Sequence, residues 1–196
     1  MCRSACYRIA IVVLVLLGFG NITYGWNKAG HMVSGAIAYA ELKQRSPDTL
    51  RKVIELLQEH PEYDTRWLPI LNAVPAENRD LYLFMLAARW PDDVRGDPSQ
   101  HRDTWHFINY PFKPVGQPNS VMTREPRPVN IVTAHDDNLA VLRSDAENSD
   151  KAVALCWLFH LYGDVHQPLH TVAIFTTQFP NGDRGGTRFY IRARAG

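Results

Sequence analysis

The stretch 160-HLYGDVHQPLH-170 lies at the end of the most apolar helical pattern in the sequence. His160 and Asp164 are four residues apart, so on a helix their side chains project from one face. Pro168 ends the helix and allows His170 to turn back towards the same region. Imidazole and carboxylate groups that converge are typical zinc ligands. A His/Asp pair at this spacing is equally typical of a surface hydrogen bond, so the stretch alone leaves both interpretations open.

Helical periodicity dominates the rest of the chain as well. Apolar residues recur at three- and four-residue spacing in five segments, which are Ala29–Leu42, Pro47 to about His60, Pro75 to about Arg89, Ile131–Leu142 and Asp150–His166. The third helix is predicted to stop before Pro91, and the fifth to be capped by Ser149 or Asp150. The connection Pro91–Pro128 is long and rich in proline, which is typical of a functional or a disordered segment. The one predicted strand is Thr187–Arg194. We therefore predict an all-α, single-domain fold with long irregular connections and a short β-strand near the C-terminus.

The first 25 residues have the layout of a secretory signal peptide. Arg3 and Arg8 precede the apolar run Ile9–Gly20, and small residues follow at Thr23 and Gly25. The run has 12 residues, too few to span a bilayer. An uncleaved anchor is the alternative. We expect cleavage after Gly25, so that residues 26–196 form a secreted or periplasmic domain, a monomer without stable membrane association.

Charge and cysteine content narrow the function classes. The leader holds two of the 21 basic residues and none of the 20 acidic ones, so residues 26–196 are nearly neutral. They lack the basic stripe of proteins that bind nucleic acid mainly by counterion release. Any phosphate substrate is therefore expected at a local site. Cys2 and Cys6 belong to the leader, and Cys156, in an apolar helical stretch, is predicted to be a core residue.

Other segments supply more ligand types. Trp90-Pro91-Asp92-Asp93 and Trp105-His106-Phe107 place carboxylate and imidazole groups beside large aromatic residues. Cleavage after Gly25 would make Trp26 the N-terminus, and a free α-amine, with a pKa of about 7.7–8.0, can ligate a metal. His31 follows one helical turn later. His60, beside Pro61, is interpreted as a solvated helix end, and Asp93 as a solvated loop residue.

Five pieces in this order resemble one enzyme family. They are Trp26…Gly30-His31, Trp90-Pro91-Asp92, His106-Phe107-Ile108-Asn109, His160…Asp164-Val-His-Gln-Pro-Leu-His170 and Asp183-Arg-Gly-Gly186. The series is similar to the single-strand-specific zinc nucleases known as nuclease S-one and nuclease P-one, from Trp26 to about Arg194. Bacterial zinc phospholipase C is similar more distantly and shares the ligand types. Its first histidine lies further from the N-terminal tryptophan, so the nucleases resemble this sequence better.

The resemblance implies roles for individual residues. One zinc ion would be held by Asp92, His106, His160 and Asp164, and a second by the amine and carbonyl of Trp26, by His31 and by the shared Asp164. Two bridged zinc ions can activate water for in-line attack on phosphorus, which would leave 5′-phosphates. The implied catalytic residues are Asp92, Arg95 and Asp164, with Arg95 on the phosphate. The implied substrates are single-stranded DNA or RNA, with 3′-mononucleotides as a further class, and Phe107 would stack on a base.

Two departures from the family pattern bear on activity. Asn109 stands where the family usually has an aspartate associated with base contact. The family's third zinc ion uses the histidine equivalent to His170 together with a later histidine and aspartate, and no histidine follows His170 before Gly196. We therefore expect two fully ligated zinc ions, an incomplete third site and a truncated sequence. The alternatives are a phospholipase C-like phosphodiesterase and a zinc-stabilised fragment without catalysis.

Overall fold

The computed structural model describes residues 27–189. The predicted signal peptide, Trp26 and residues 190–194 of the predicted strand lie outside the described residues. The helices in the described part are α1 Lys28–Arg45, α2 Pro47–Gln58, α3 Leu68–Asn72, α4 Arg79–Asp93, α5 Ile131–Arg143, α6 Asn148–Val165 and α7 Pro168–Thr171. The strands β1 Tyr110–Phe112 and β2 Val172–Ile174 pair in parallel. The prediction of a mainly α-helical fold is confirmed. Within residues 27–189, no helix combines the length and apolar character needed to cross a bilayer.

Helix α6 lies at the centre of the fold. Residues on nearly every side of it are buried, including Leu155, Cys156, Trp157 and Leu161. A helix that is apolar all round belongs in the interior, and here α4 and α5 pack against α6 while α1 packs closely on α4. The core position predicted for Cys156 is confirmed, because its side chain is fully buried. As a consequence, His160 and Asp164 near the C-terminal end of α6 are held inside the molecule.

A glycine sets the close approach of α1 and α4. A Cβ atom at Gly35 would lie 2.6 Å from the carbonyl oxygen of Phe84, which is closer than real Cβ contacts allow. With glycine at this position the two helix backbones touch directly. This contact brings the first turn of α1 to the last turn of α4.

Several predicted boundaries are wrong. Helix α4 continues through Pro91 to Asp93, because a proline so near a helix end removes only one backbone hydrogen bond. Helix α6 begins at Asn148 after Glu147, earlier than the predicted caps. Residues 187 and 188 of the predicted strand form turns. The strands β1 and β2 were not predicted, because three residues are too few to show an alternating pattern.

His60 is buried, so its interpretation as a solvated helix end is wrong. Only 3 % of its surface is exposed. Its ring stacks on Trp67 with centroids 4.4 Å apart and meets Trp90 edge-on at 4.7 Å. The Nδ1 atom accepts the backbone N–H of Glu62 at 3.1 Å. Burial, helped by the Arg66 guanidinium, lowers the pKa of His60 from 6.5 to about 4.

This histidine predicts a loss of stability in acid. Because the pKa of His60 is lower in the folded state, the unfolded chain binds the extra proton, and stability falls as the pH drops through 6.5 and levels off near pH 4. The separation of the two pKa values corresponds to about 3 kcal/mol. In urea unfolding with chelator present, the free energy of unfolding of H60F should fall by about 3 kcal/mol less than that of the wild type over this pH range. The exposed His166 offers a control: H166Q should keep the wild-type pH dependence, and equal pH dependence in H60F would contradict the assignment.

Candidate metal centre

Separate parts of the fold bring the predicted ligands together. His31 comes from α1, Asp92 from α4, His160 and Asp164 from α6 and His170 from α7, while His106 ends a short 3-10 turn at Asp103–His106. All except His170 have side chains that are less than a tenth exposed. The predicted ligand Trp26 lies outside the described residues.

Three ligand atoms form a compact triangle. His106 Nδ1 lies 3.0 Å from Asp164 Oδ2 and 2.9 Å from His160 Nε2, and His160 Nε2 lies 3.1 Å from Asp164 Oδ2. Tetrahedral zinc with bonds of about 2.0–2.1 Å has ligand atoms roughly 3.3 Å apart. Asp92 Oδ1 lies 3.8 Å from His160 Nε2, and Asp92, His106 and His160 each offer a ligand atom within 4.8 Å of the other two. The triangle is therefore close to the size that one zinc ion needs.

The second oxygen of Asp164 faces a different set of residues. Oδ1 lies 3.3 Å from His31 Nε2 and 3.8 Å from His170 Nε2. His31 Nε2 is also 4.0 Å from Asp92 Oδ2. One carboxylate thus presents one oxygen to His106 and His160 and the other to His31 and His170. This is the arrangement that a carboxylate shared by two cations requires.

The orientation of the imidazole rings suits metal binding. His160 Nδ1 lies 3.0 Å from the carbonyl oxygen of Ala88, so Nδ1 carries the proton and Nε2 has a free lone pair towards the cluster. His31 stacks on His160 with ring centroids 3.6 Å apart. Among the described residues, the buried Nε2 of His170 has no hydrogen-bond partner. Buried polar atoms are normally paired, so an unpaired imidazole nitrogen here fits a site that receives a cation.

Gly163 provides the space for His31. A Cβ atom at Gly163 would lie 2.8 Å from His31 Nδ1. Since Gly163 directly precedes Asp164, its lack of a side chain allows His31 to lie against α6 beside the shared carboxylate. Neither this role nor that of Gly35 was predicted, because both depend on contacts between distant helices.

The protonation of the cluster follows from burial and hydrogen bonds. Burial opposes ionisation of Asp164, but its close contacts with the imidazoles of His106, His160 and His31 outweigh it and hold the pKa of the carboxyl far below its usual range. For His170, burial is the main cause that lowers its pKa, and Asp164 offsets only part of the effect. An ionised carboxylate and a neutral imidazole are the forms that bind metal.

Arg95 borders the cluster on the solvent side. Its Nη2 forms an ion pair with Asp92 Oδ1 at 2.8 Å, and its side chain is 51 % exposed while that of Asp92 is 7 % exposed. A guanidinium fixed by a buried carboxylate and open to solvent can receive a phosphate oxygen. The position of Arg95 is therefore compatible with the role that the resemblance implies.

Phe107 and Asn109 follow His106 along the chain. Both are partly exposed, and between them the Ile108 N–H donates to the His170 carbonyl oxygen at 2.9 Å. Asn109 has a φ of 59°, a left-handed conformation that asparagine tolerates better than most residues. The two predicted substrate residues thus stand on either side of a residue that is hydrogen-bonded to the predicted ligand His170.

Sequence reasoning missed Asp93, which it assigned to solvated loop. Its side chain is 9 % exposed and lies 2.6 Å from Lys28 Nζ and 2.8 Å from Arg89 Nε. These contacts hold the carboxylate in its ionised form and lower its pKa against the opposing effect of burial. Asp93 ties the first turn of α1 to the last turn of α4, beside Asp92. The signal in the sequence was the (i, i+4) spacing from Arg89.

This tether predicts a measurable loss of stability. D93N leaves two cations without their partner, and we expect the free energy of unfolding to fall by about 2 kcal/mol, below the value for a fully buried pair because Lys28 is half exposed. Glu41 provides the matched control, because its pair with Arg45 on α1 is exposed; E41Q should cost less than about 0.5 kcal/mol. Equal losses in the two variants would contradict a tethering role for Asp93.

A family model described as S1/P1 Nuclease matches residues 26–195. The chain belongs to the S1/P1 nuclease family. Family membership confirms the resemblance drawn from the ligand series. Among curated proteins, this S1/P1 family member is similar to Endonuclease 3 of Arabidopsis thaliana, with 27 % identity over 189 residues that cover 92 % of the chain and 53 % of the plant protein. The chain therefore spans about half the length of the relative it matches. No solved structure matches the chain significantly.

Proposed function

We propose that this protein is a zinc-dependent endonuclease that hydrolyses phosphodiester bonds of single-stranded DNA or RNA to 5′-phosphate products. Membership of the S1/P1 nuclease family supports a nuclease. The single observation that carries the metal dependence is Asp164, whose two oxygens face two separate sets of histidines. Imidazole and carboxylate donors together favour zinc over harder cations.

Two metal sites follow from this division. Asp92, His106, His160 and Asp164 would hold one zinc ion. His31 and the other oxygen of Asp164, with the amine and carbonyl of Trp26, would hold the second. A third ion would have His170 among its ligands. When bound, such ions supply Lewis acidity and activate water for attack on phosphorus.

The protein's own residues bind and orient the substrate. The exposed Arg95 guanidinium, held by Asp92, would take a phosphate oxygen and offset the negative charge that develops there. Phe107 offers an aromatic face to a base, and only unpaired bases have free faces. Asn109 both donates and accepts hydrogen bonds, so it can contact more than one base. A mononucleotide with a 3′-phosphate presents the same groups, and 3′-nucleotidase activity is included in the proposal.

Chelation gives the direct test. Zinc-loaded protein that begins at Trp26 should contain at least two zinc ions per chain and cleave single-stranded DNA faster than duplex DNA. Removal of zinc should lower the rate at least about 10³-fold, since a bound metal contributes several kcal/mol to transition-state stabilisation. Added zinc should restore it. Zinc-dependent hydrolysis of phosphatidylcholine instead of DNA would favour the phospholipase C-like hypothesis. A melting temperature that depends on zinc, without turnover, would favour a purely structural role for the metal.

We propose in addition that the protein is exported and acts as a monomer outside the cytoplasm. The N-terminal charge pattern and apolar run of residues 1–25 support export. N-terminal sequencing of the protein recovered from the producing cell tests it. A mature chain that starts at Trp26 is expected, and a retained leader would contradict the proposal.

A further inference from the structure

The β1–β2 pair has one closed face and one open face. Ala173 is buried and packs in a small apolar cluster with Val121 and Phe175. Because side chains alternate along a strand, Tyr110 and Phe112 point to the opposite side. They are 57 % and 53 % exposed. Parallel strands are normally covered on both faces, so two large aromatic rings on an open face indicate that something binds there.

Both strands lead away from the metal centre. Tyr110 follows His106 by four residues, and Val172 follows His170 by two. The hydrogen bond from Ile108 N–H to the His170 carbonyl joins the two segments just before the strands begin. Since the strands are parallel, Tyr110 is the ring nearer the ligands and Phe112 is the ring further along. The open face is therefore continuous with the cleavage site.

Local charge on these segments differs from that of the whole chain. Residues 107–124 and 171–189 contain the basic residues Lys113, Arg124, Arg184 and Arg188. The one acidic residue in these segments is Asp183. Its carboxylate is buried and accepts backbone N–H groups from Ile174 and Gly186, each at 3.1 Å. These two segments therefore expose no carboxylate that would repel a polyanion bound along the two rings.

We propose that the open face of β1–β2 is a stacking platform for the unpaired bases of a single-stranded nucleic acid, beyond the nucleotide at the metal centre. The inference rests on the proposed nuclease function and adds a substrate-binding surface to it. Tyr110 and Phe112 each receive one base. Aromatic stacking of this kind tolerates any base sequence.

The geometry of a strand suits this role. Residues two apart on a strand are about 6.6 Å apart along its axis, roughly twice the separation of about 3.4 Å between stacked bases of a duplex. Each ring therefore has room for one base of an extended strand. Bases inside a duplex are paired and stacked on one another, and they cannot present their faces to these rings. The platform consequently favours single strands of several nucleotides over dinucleotides.

The test compares substrates of different length. On a single strand of about twelve nucleotides, the double variant Y110A/F112A should lower kcat/KM by roughly 30-fold or more, with about 5-fold or more from each ring. On a dinucleotide, which reaches only the metal centre, the rate should change less than about 2-fold by the same reasoning. The conservative double variant Y110F/F112Y should retain activity on both substrates. Y162A is the matched control. It removes an aromatic ring that is equally exposed, at 56 %, but that belongs to α6 and not to β1.

A second measurement separates this inference from the proposed function. Binding of a fluorescent phosphorothioate oligothymidylate to the zinc-loaded full chain is measured by anisotropy, with sedimentation of both proteins alongside. If the wild type binds this strand but does not cleave unmodified single-stranded DNA, and Y110A/F112A binds weakly, the nuclease proposal fails and the platform stands. If both proteins bind equally, or neither binds, the platform is wrong. A wild-type dimer that Y110A/F112A converts to monomer would assign the face to a second copy and also overturn it.

Discussion

Replacement of Asp164 by asparagine is expected to lower kcat/KM on single-stranded DNA by at least about 10³-fold, the loss that corresponds to roughly 4 kcal/mol of transition-state stabilisation by bound metal. Asparagine keeps the size of the side chain but replaces one oxygen with an NH2 group, which cannot ligate a cation. The two oxygens of Asp164 face separate sets of histidines. A single substitution should therefore weaken both proposed zinc sites together.

Zinc content distinguishes this result from simple misfolding. D164N should bind fewer than two zinc ions per chain while its helical circular dichroism stays close to that of the wild type. Asp137, an exposed aspartate on α5, provides the control, and D137N should keep both metal and activity. A D164N protein that retains two zinc ions and the wild-type rate would show that Asp164 is not shared between metals.

Local spacing explains what the sequence could predict about this centre. His160 and Asp164 are one helical turn apart, so their common direction follows from helix geometry alone. The helices α1, α2, α5 and α6 likewise follow from apolar periodicity. The position of Asp92 on a helix did not follow, because Pro91 is ordinarily a sign that a helix has ended. The structure shows that one lost hydrogen bond in a last turn is tolerated.

Long-range packing explains what the sequence could not predict. His60 is followed by a proline, as at many solvated helix ends, but α4 brings Trp90 against its ring. Asp93 resembles a loop acid until α1 places Lys28 beside it. The pairing of β1 with β2 joins segments about 60 residues apart, and no local pattern marks it. In each case the environment of the position is determined by contact with a residue far away in the sequence.

Retention of a single residue before Trp26 is expected to lower nuclease activity at least about 100-fold, more than the 10–100-fold loss typical when an outer partner of a metal ligand is removed. The extension converts the proposed amine ligand into a peptide N–H, which has no lone pair available for zinc. The described residues next to this terminus support the prediction. Asn27 caps α1 by accepting the N–H of Gly30 at 3.0 Å, and Lys28 binds Asp93 beside Asp92.

The contacts of Asn27 and Lys28 also make the effect of the extension specific to the metal. Asn27 and Lys28 hold the start of α1 through contacts that do not involve the α-amine, so the extension should leave those contacts intact. The α-amine has a pKa of about 7.7–8.0 and binds metal only when neutral, so zinc affinity of the protein that begins at Trp26 should rise from pH 6 to pH 8 more than that of the extended protein. A glycine added after Gly196 is the control and should change neither quantity. Equal activity and equal pH dependence with the N-terminal extension would mean that the amine of Trp26 is not a ligand, and that His31 and Asp164 complete the second site with some other donor.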